Sequence, residues 1–141
     1  MLTDFLLRLI ESRILDLSKP LIIGVSGGPD SVCLLDICIK MKFPIIVCHV
    51  NHHLREESEY EAKFVEQLAK GYHQKFIATS LHFHSSNMSK VTSIEETSRM
   101  HRYKFLFSEA KKARAQAVMT AHNADDQVET FIMHLLRGSG V

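Results

Sequence analysis

The stretch Leu21-Ile22-Ile23-Gly24-Val25-Ser26-Gly27-Gly28-Pro29-Asp30-Ser31 decides the fold. Leu21–Val25 is a short continuous apolar run, which reads as a strand buried on both faces, as in parallel sheets. It passes at once into a glycine turn. Val32 to Met41, apolar nearly all round, then reads as a helix packed deep against that sheet. Gly27 and Gly28 accept positive φ and let backbone N–H groups approach an anion without a Cβ in the way. The helix start aims its unpaired N–H groups and dipole at the same point, and Ser26 and Ser31 add hydroxyls. Strand, turn and helix together make a phosphate-binding arrangement. Asp30 would repel a bare phosphate, so Mg²⁺ is expected between its carboxylate and the phosphate oxygens. The plain alternative is an ordinary strand-to-helix turn, for which Gly, Pro, Asp and Ser are common punctuation. A Walker A loop requires a lysine that is not there. Gly24, Ser26 and Gly28 also match a nucleophile elbow, but that fold needs several strands before it, and this is the first.

Outward from the loop, strands and helices alternate. Leu2, Phe5, Leu6, Leu9, Ile10 and Leu17 predict an opening amphipathic helix that stops before Pro20. Ile45–Val50 is a second strand. Ser58-x-x-Glu61 reads as a capping box opening a helix with Phe64, Leu68 and Tyr72 on one side. Lys75–Thr79 is a third, weaker strand, and 80–92 a loop. Ser93-x-x-Glu96 reads as a second capping box, opening a long helix with Ile94, Tyr103, Leu106, Ala110 and Ala113. Ala117–Ala121 is a fourth strand. Val128, Phe131, Ile132, Leu135 and Leu136 predict a final helix closed by Gly138. Such alternation means βαβ units: an α/β, Rossmann-like parallel sheet with helices on both faces, in one domain over residues 1–141. Ligands in such sheets gather beyond the carboxyl ends of the strands, where the unusual segments lie.

Composition narrows the class. The 141 residues carry 17 Lys+Arg against 16 Asp+Glu, and the formal charge of +1 is neutral on nucleic acid. No apolar run approaches the ~20 residues of a spanning helix, so no membrane association is expected. Asp4, Arg8, Glu11 and Arg13 break up a signal-peptide core. Three cysteines without a CxxC make a disulfide scaffold or structural zinc site a poor reading and leave a reducing, cytoplasmic setting as the expectation. His49, His52 and His53 lack the paired spacing of a structural metal site and read as a polar loop lining a pocket.

Four segments carry a family resemblance. Ser26-Gly27-Gly28-Pro29-Asp30-Ser31 resembles the SGGxDS loop of PP-loop ATP pyrophosphatases, which cleave ATP between the α- and β-phosphates. The run from His49 through Asn51 and His52 to Arg55 resembles the HVNHxLR stretch of tRNA(Ile)-lysidine synthases. Glu95 to Tyr103 resembles their ExxARxxRY segment, with Ser98 where Ala is usual. The run from His122 through Asp125, Asp126 and Thr130 to Gly140 resembles their HxxxDDQxET…RGxG pattern. Together they span residues 21–140, in order.

The resemblance implies an adenine nucleotide α-hydrolase-like fold and ATP-dependent attachment of lysine to the wobble cytidine of an isoleucine tRNA. The partners it implies are that tRNA and free lysine; the cofactors are ATP and Mg²⁺. Ser26, Gly27, Gly28, Pro29, Asp30 and Ser31 would bind ATP, with Asp30 on the metal. Arg102, His122 and Asp126 would serve catalysis or substrate positioning, and Asn51, His52, Arg55 and Arg99 would line the pocket. Plainer readings stand beside these: Arg55 pairs with Glu59 on a solvated helix face, and Asp125, Asp126 and Glu129 form a favourable acidic first turn. Between Arg99 and Arg114 six basic residues face one acid, Glu109, which suits an RNA backbone or a solvated face. Arg102 is the better site candidate; Lys111, Lys112 and Arg114 are expected at the surface. A tRNA thiolation enzyme is the alternative within the superfamily, disfavoured because the cysteines lie in an apolar helix and a strand. A nucleotide-binding module without turnover is the other. Because the resembling proteins continue past the Gly138-Ser139-Gly140 run, the chain is expected to be an N-terminal part, inactive alone. Its sheet would lack its last strand or strands, and the open edge of the fourth strand would favour self-association as a homodimer.

Overall fold

The computed structural model of the chain describes residues 2–51, 57–80, 94–122 and 127–132. Its elements are α1 (Leu2–Glu11), β1 (Leu21–Gly24), α2 (Pro29–Lys40), β2 (Ile45–Asn51), α3 (Ser58–Gly71), β3 (Lys75–Ser80), α4 (Ile94–Ala113), β4 (Ala117–His122) and β5 (Gln127–Ile132). They build a five-stranded sheet in the order β3-β2-β1-β4-β5. The first four strands in that order run parallel, with Leu21 opposite Ile45 on one side and Ala117 on the other. The expected Rossmann-like parallel sheet is present.

Alternation along the central strands divides the core in two. Leu21 and Ile23 face a cluster containing Leu6 of α1, Leu34, Leu35 and Cys38 of α2, and Val65 and Ala69 of α3. Ile22 and Val118 face Leu106 and Ala110 of α4 on the opposite side. Strand β1 is therefore buried on both faces, as its unbroken apolar run requires. Gln116 locks the entry to β4: its amide donates to the carbonyls of Asp16 and Lys19, both at 2.7 Å, and accepts the Asp16 N–H at 2.7 Å.

The sequence reading needs four corrections. Helix α1 ends at Glu11 instead of continuing toward Pro20, because Arg13 adopts φ 64 and terminates the turn; Leu15 then folds back into the core. The capping box at Ser58 is not made: Glu57 occupies the cap position without a side-chain bond, and Ser58 is the first helical residue. The buried face of α3 is centred on Val65 and Ala69, with Leu68 and Tyr72 packing against the core as expected, whereas Phe64 is exposed. Finally, residues 127–132 form a strand antiparallel to β4, with Thr120 opposite Glu129, in place of the expected final helix. Val128, Phe131 and Ile132 fit a helical stripe, but Val128, Thr130 and Ile132 equally fit a strand alternation. The ladder groups of β4 settle the ambiguity by offering a partner. Strand β4 is consequently paired on both sides, and the open edge expected for it is covered. The remainder of the expected helix, Gly138 included, and the Ser93 cap lie outside the described residues.

Candidate functional site

The loop after β1 is held by its own hydroxyls. Ser31, buried at the first turn of α2, accepts the Ser26 N–H at 3.2 Å and donates to the Gly28 carbonyl at 3.1 Å. The Ser26 hydroxyl lies 3.2 Å from that of Ser31 and accepts the Gly28 N–H at 3.3 Å. Gly27 takes φ +103, a conformation in which a side chain would be strained. Gly28 caps α2, Pro29 occupies its first turn without losing a needed donor, and Asp30 supplies a half-buried carboxylate there. Ser26 is exposed, whereas Ser31 buttresses the loop from beneath.

Beside this loop lies a cavity of about 240 Å³ at the carboxyl ends of the central strands. Its walls are Gly24, Val25 and Ser26 after β1, Cys48 to Asn51 of β2, Ser58 and Glu61 of α3, Arg102 and Leu106 of α4, and Thr120 and Ala121 of β4. The sheet order puts it where successive connections leave β1 in opposite directions, the usual ligand crevice of an open α/β sheet. Gly24 keeps it open: a Cβ there would stand 3.1 Å from Thr120 Cγ2 and 3.2 Å from Leu106 Cδ1.

Charge enters from α4. The Arg102 guanidinium lies 5.4 Å from the centre of the Tyr103 ring and that of Arg99 lies 5.0 Å from it, so one aromatic ring serves two cations. Tyr103 is itself fixed by a 3.2 Å hydrogen bond between its hydroxyl and that of Thr120. The Nε of Arg102 is buried with no hydrogen-bond partner. On the opposite wall, Asn51 donates to Glu59 at 3.1 Å. Cys48 lines the cavity, but burial pushes its thiol up to about 12, and Cys38 is pushed up to about 12 for the same reason.

Of the residues named from sequence, Ser26, Asn51 and Arg102 line one cavity, with the Gly27–Asp30 turn adjoining it. Arg99 joins through the shared Tyr103 ring. His122 ends β4 opposite Gln127. His52, Arg55 and Asp126 lie outside the described residues, as does Asp125; Glu129 is on β5, not on a helix shared with them. Lys111, Lys112 and Arg114 are exposed, as expected. Sequence reasoning missed Glu61, Ser58 and Thr120 as cavity walls. Ser58 and Glu61 carried a signal, but it was absorbed by the capping-box reading; Thr120 carried only its place at a strand end. Among the described residues no three His, Cys, Asp or Glu side chains are grouped to hold a metal. The single carboxylate of Asp30 beside an anion loop does suit Mg²⁺, which takes one or two carboxylates and completes its shell with phosphate and water.

Comparison with known proteins agrees with this geometry. Residues 4–141 match the model of the PP-loop domain. The tRNA(Ile)-lysidine synthase of Dehalococcoides mccartyi is 36% identical over 146 residues, covering 99% of this chain and 31% of that protein. The enzyme of the same name from Zymomonas mobilis is 38% identical over 127 residues, covering 89% of this chain and 37% of that protein. The chain thus spans about a third of the length of these curated relatives. Among solved structures, the U34-tRNA thiolase NcsA from Methanococcus maripaludis superposes with a TM-score of 0.65 at 15% identity, over 87% of this chain and 48% of that one. NMN synthetase from Francisella tularensis does so with 0.62 at 16%, over 83% and 50%. At such identities these structures speak for the fold alone. A glycine loop ahead of α2, a cavity at the strand ends and a sequence match over nearly every residue converge: this chain belongs to the PP-loop domain family.

Proposed function

We propose that the chain is the ATP-binding catalytic part of a cytoplasmic tRNA(Ile)-lysidine synthase. It would ligate lysine to the wobble cytidine of the isoleucine tRNA with a CAU anticodon, changing its reading from AUG to AUA. The observation that carries the reading is the convergence of the Ser26–Ser31 loop and the unpartnered Arg102 Nε beside one cavity at the strand ends. The names of relatives about 35% identical supply the substrate class.

The chemistry asks for activation. The carbonyl oxygen on the cytosine ring attacks the α-phosphorus of ATP and pyrophosphate leaves. The lysine ε-amine, once deprotonated, attacks the ring carbon, and the bond to AMP breaks. The Gly27–Gly28 turn would let the phosphates approach the backbone closely, the Gly28 N–H exchanging its bond to the Ser26 hydroxyl for a phosphate oxygen, and Arg102 would neutralise charge developing on them. Asp30 would hold Mg²⁺, which supplies charge neutralisation when bound. His122 and Asp126 would stand near the amine, with Asp126 accepting its proton. Cys38 and Cys48 are held protonated by burial and the exposed Cys33 is not among the cavity walls, which gives the alternative of sulfur delivery no support.

The test is incubation of the protein with ATP, lysine and isoleucine tRNA, followed by pyrophosphate assay and mass spectrometry of the tRNA. A lysine adduct formed by the protein extended to the length of its relatives, with none from residues 1–141 alone, is the expected result. Failure of both to release pyrophosphate would leave a nucleotide-binding module without turnover.

A further inference from the structure

Residues adjacent on a helix diverge by about 100°, yet the guanidinium of Arg102 stands 5.4 Å from the centre of the neighbouring Tyr103 ring. Its side chain therefore folds across the helix surface toward Tyr103. Arg99, four residues before Tyr103 and on the same face, brings a second guanidinium to 5.0 Å. The ring also stacks on Phe107, with centroids 6.1 Å apart and planes 29° from parallel. Its hydroxyl lies 3.2 Å from that of Thr120 on β4. Thr120 is 5% exposed, stands opposite Gly24 in the β1–β4 register and forms part of the cavity wall.

Two cations on one ring repel each other, and a guanidinium side chain has many rotamers to lose. Arg102 nonetheless stands at the cavity wall. A hydrogen bond at its buried edge does not hold it there: neither its Nε nor the hydroxyl of Ser98, one turn before it, has a partner. The negative face of the Tyr103 ring attracts both cations, and that attraction is aimed only as well as the ring is. Leu106 and Ala110 bury α4 against Ile22 and Val118, but apolar burial is non-directional and does not fix the rotation of the helix on the sheet. The hydrogen bond from Tyr103 to Thr120 is directional. It ties the ring to a strand that forms the cavity wall.

We infer that Tyr103 is a positioning residue for Arg102. Its ring sets the direction of the guanidinium, and its hydroxyl, anchored on Thr120, sets the place of the ring. The inference rests on the nucleotide-dependent ligation reading, in which Arg102 meets charge developing on phosphate. It gives Tyr103 no contact with substrate.

The test compares Tyr103→Leu, Tyr103→Phe and Thr120→Val in the protein extended to the length of its relatives. Pyrophosphate release with ATP, lysine and isoleucine tRNA gives kcat and KM. The Nε–H resonance of Arg102, identified by its loss in Arg102→Ala, reports on the ring beside it in heteronuclear NMR spectra. Tyr103→Leu should lower kcat about tenfold, the scale of a partly desolvated cation–π contact. KM should stay within about twofold of the parent, since developing charge belongs to the transition state. Tyr103→Phe keeps the ring and should lose only about threefold, the scale of one neutral hydrogen bond. Thr120→Val should match it, and the two together should lose no more than either, because both remove the same bond. With Arg102 already replaced by Ala, Tyr103→Leu should change kcat by less than about twofold. The resonance should shift in Tyr103→Leu and much less in Tyr103→Phe. Parent-like kcat in Tyr103→Leu, or the same loss with and without Arg102, overturns the inference and leaves the ligation reading standing. If Tyr103→Leu does not fold, losses in Tyr103→Phe and Thr120→Val that multiply overturn it, and losses that coincide uphold it. A parent that releases no pyrophosphate overturns the ligation reading. The resonance then decides the positioning by itself: unmoved in Tyr103→Leu it overturns the inference, and shifted it upholds the ring as what directs Arg102.

Discussion

His49 Nδ1 donates a hydrogen bond of 2.8 Å to the carbonyl oxygen of Val25, the last residue before the glycine loop. A carbonyl can only accept, so Nδ1 carries the proton and Nε2 is the free ring nitrogen when His49 is neutral. The Val25 N–H is bonded to the Cys48 carbonyl at 2.9 Å. Both backbone polar groups of Val25 are thus tied to β2, and the loop leaves the sheet from a fixed point. His49→Ala leaves a buried carbonyl unpaired and opens a void, which together cost about 2–3 kcal/mol. Urea unfolding measures it, and a loss below about 0.5 kcal/mol, the scatter of ordinary surface changes, would contradict the assignment.

Asp30→Ala should abolish the Mg²⁺-dependent part of ATP binding while the protein stays folded. The carboxylate is half-buried in the first turn of α2, where its favourable term with the helix dipole is only about 0.3–1 kcal/mol. Calorimetry with ATP, with and without Mg²⁺, reads the first effect and circular dichroism the second. Equal ATP affinity of variant and parent in the presence of Mg²⁺ would remove Asp30 from the site.

Arg102→Ala and Lys112→Ala should separate sharply although both remove a cation from α4. Arg102 lines the cavity with a buried Nε, and its loss should lower the activity of the protein extended to the length of its relatives about a hundredfold, as expected for a preorganised charged donor. Lys112 is 71% exposed and only reaches Glu109 at 3.3 Å. Such exposed pairs contribute about 0.5 kcal/mol or less to stability, and the activity should change less than twofold. Parallel pyrophosphate-release assays decide; equal losses would mean that the basic run of α4 acts as a diffuse RNA-binding face.

Iodoacetamide should label Cys33 alone in the folded protein near pH 8, and all three cysteines after unfolding. Cys33 is exposed on α2, whereas Cys38 and Cys48 are buried. Burial raises both buried thiols to about 12, so at pH 8 each is protonated, and the thiolate is the reactive form. Peptide mass spectrometry locates the adducts. Labelling of Cys48 in the native state would show that the cavity wall opens to reagent and that its thiol is available for chemistry.

Strand β1, the glycine turn and α2 were legible from local chemistry. An apolar run too short for a helix, two glycines, a proline at a helix start and an apolar helix each act within a few residues of themselves. Alternation of strands and helices likewise implies the parallel sheet from sequence alone. Residues 127–132 were not legible, because their side chains satisfy a helical and a strand period alike; the unpaired edge of β4 chose between them. The cavity was half legible. Its loop and Arg102 announced themselves as motifs, but Glu61 and Thr120 reach it only through α3 packing and the β1–β4 register. The unpartnered state of Ser98 belongs to that same class, since a serine in a helix normally satisfies itself one turn back. Whether a polar atom is buried and alone depends on neighbours distant in the chain, and local periodicity carries no record of them.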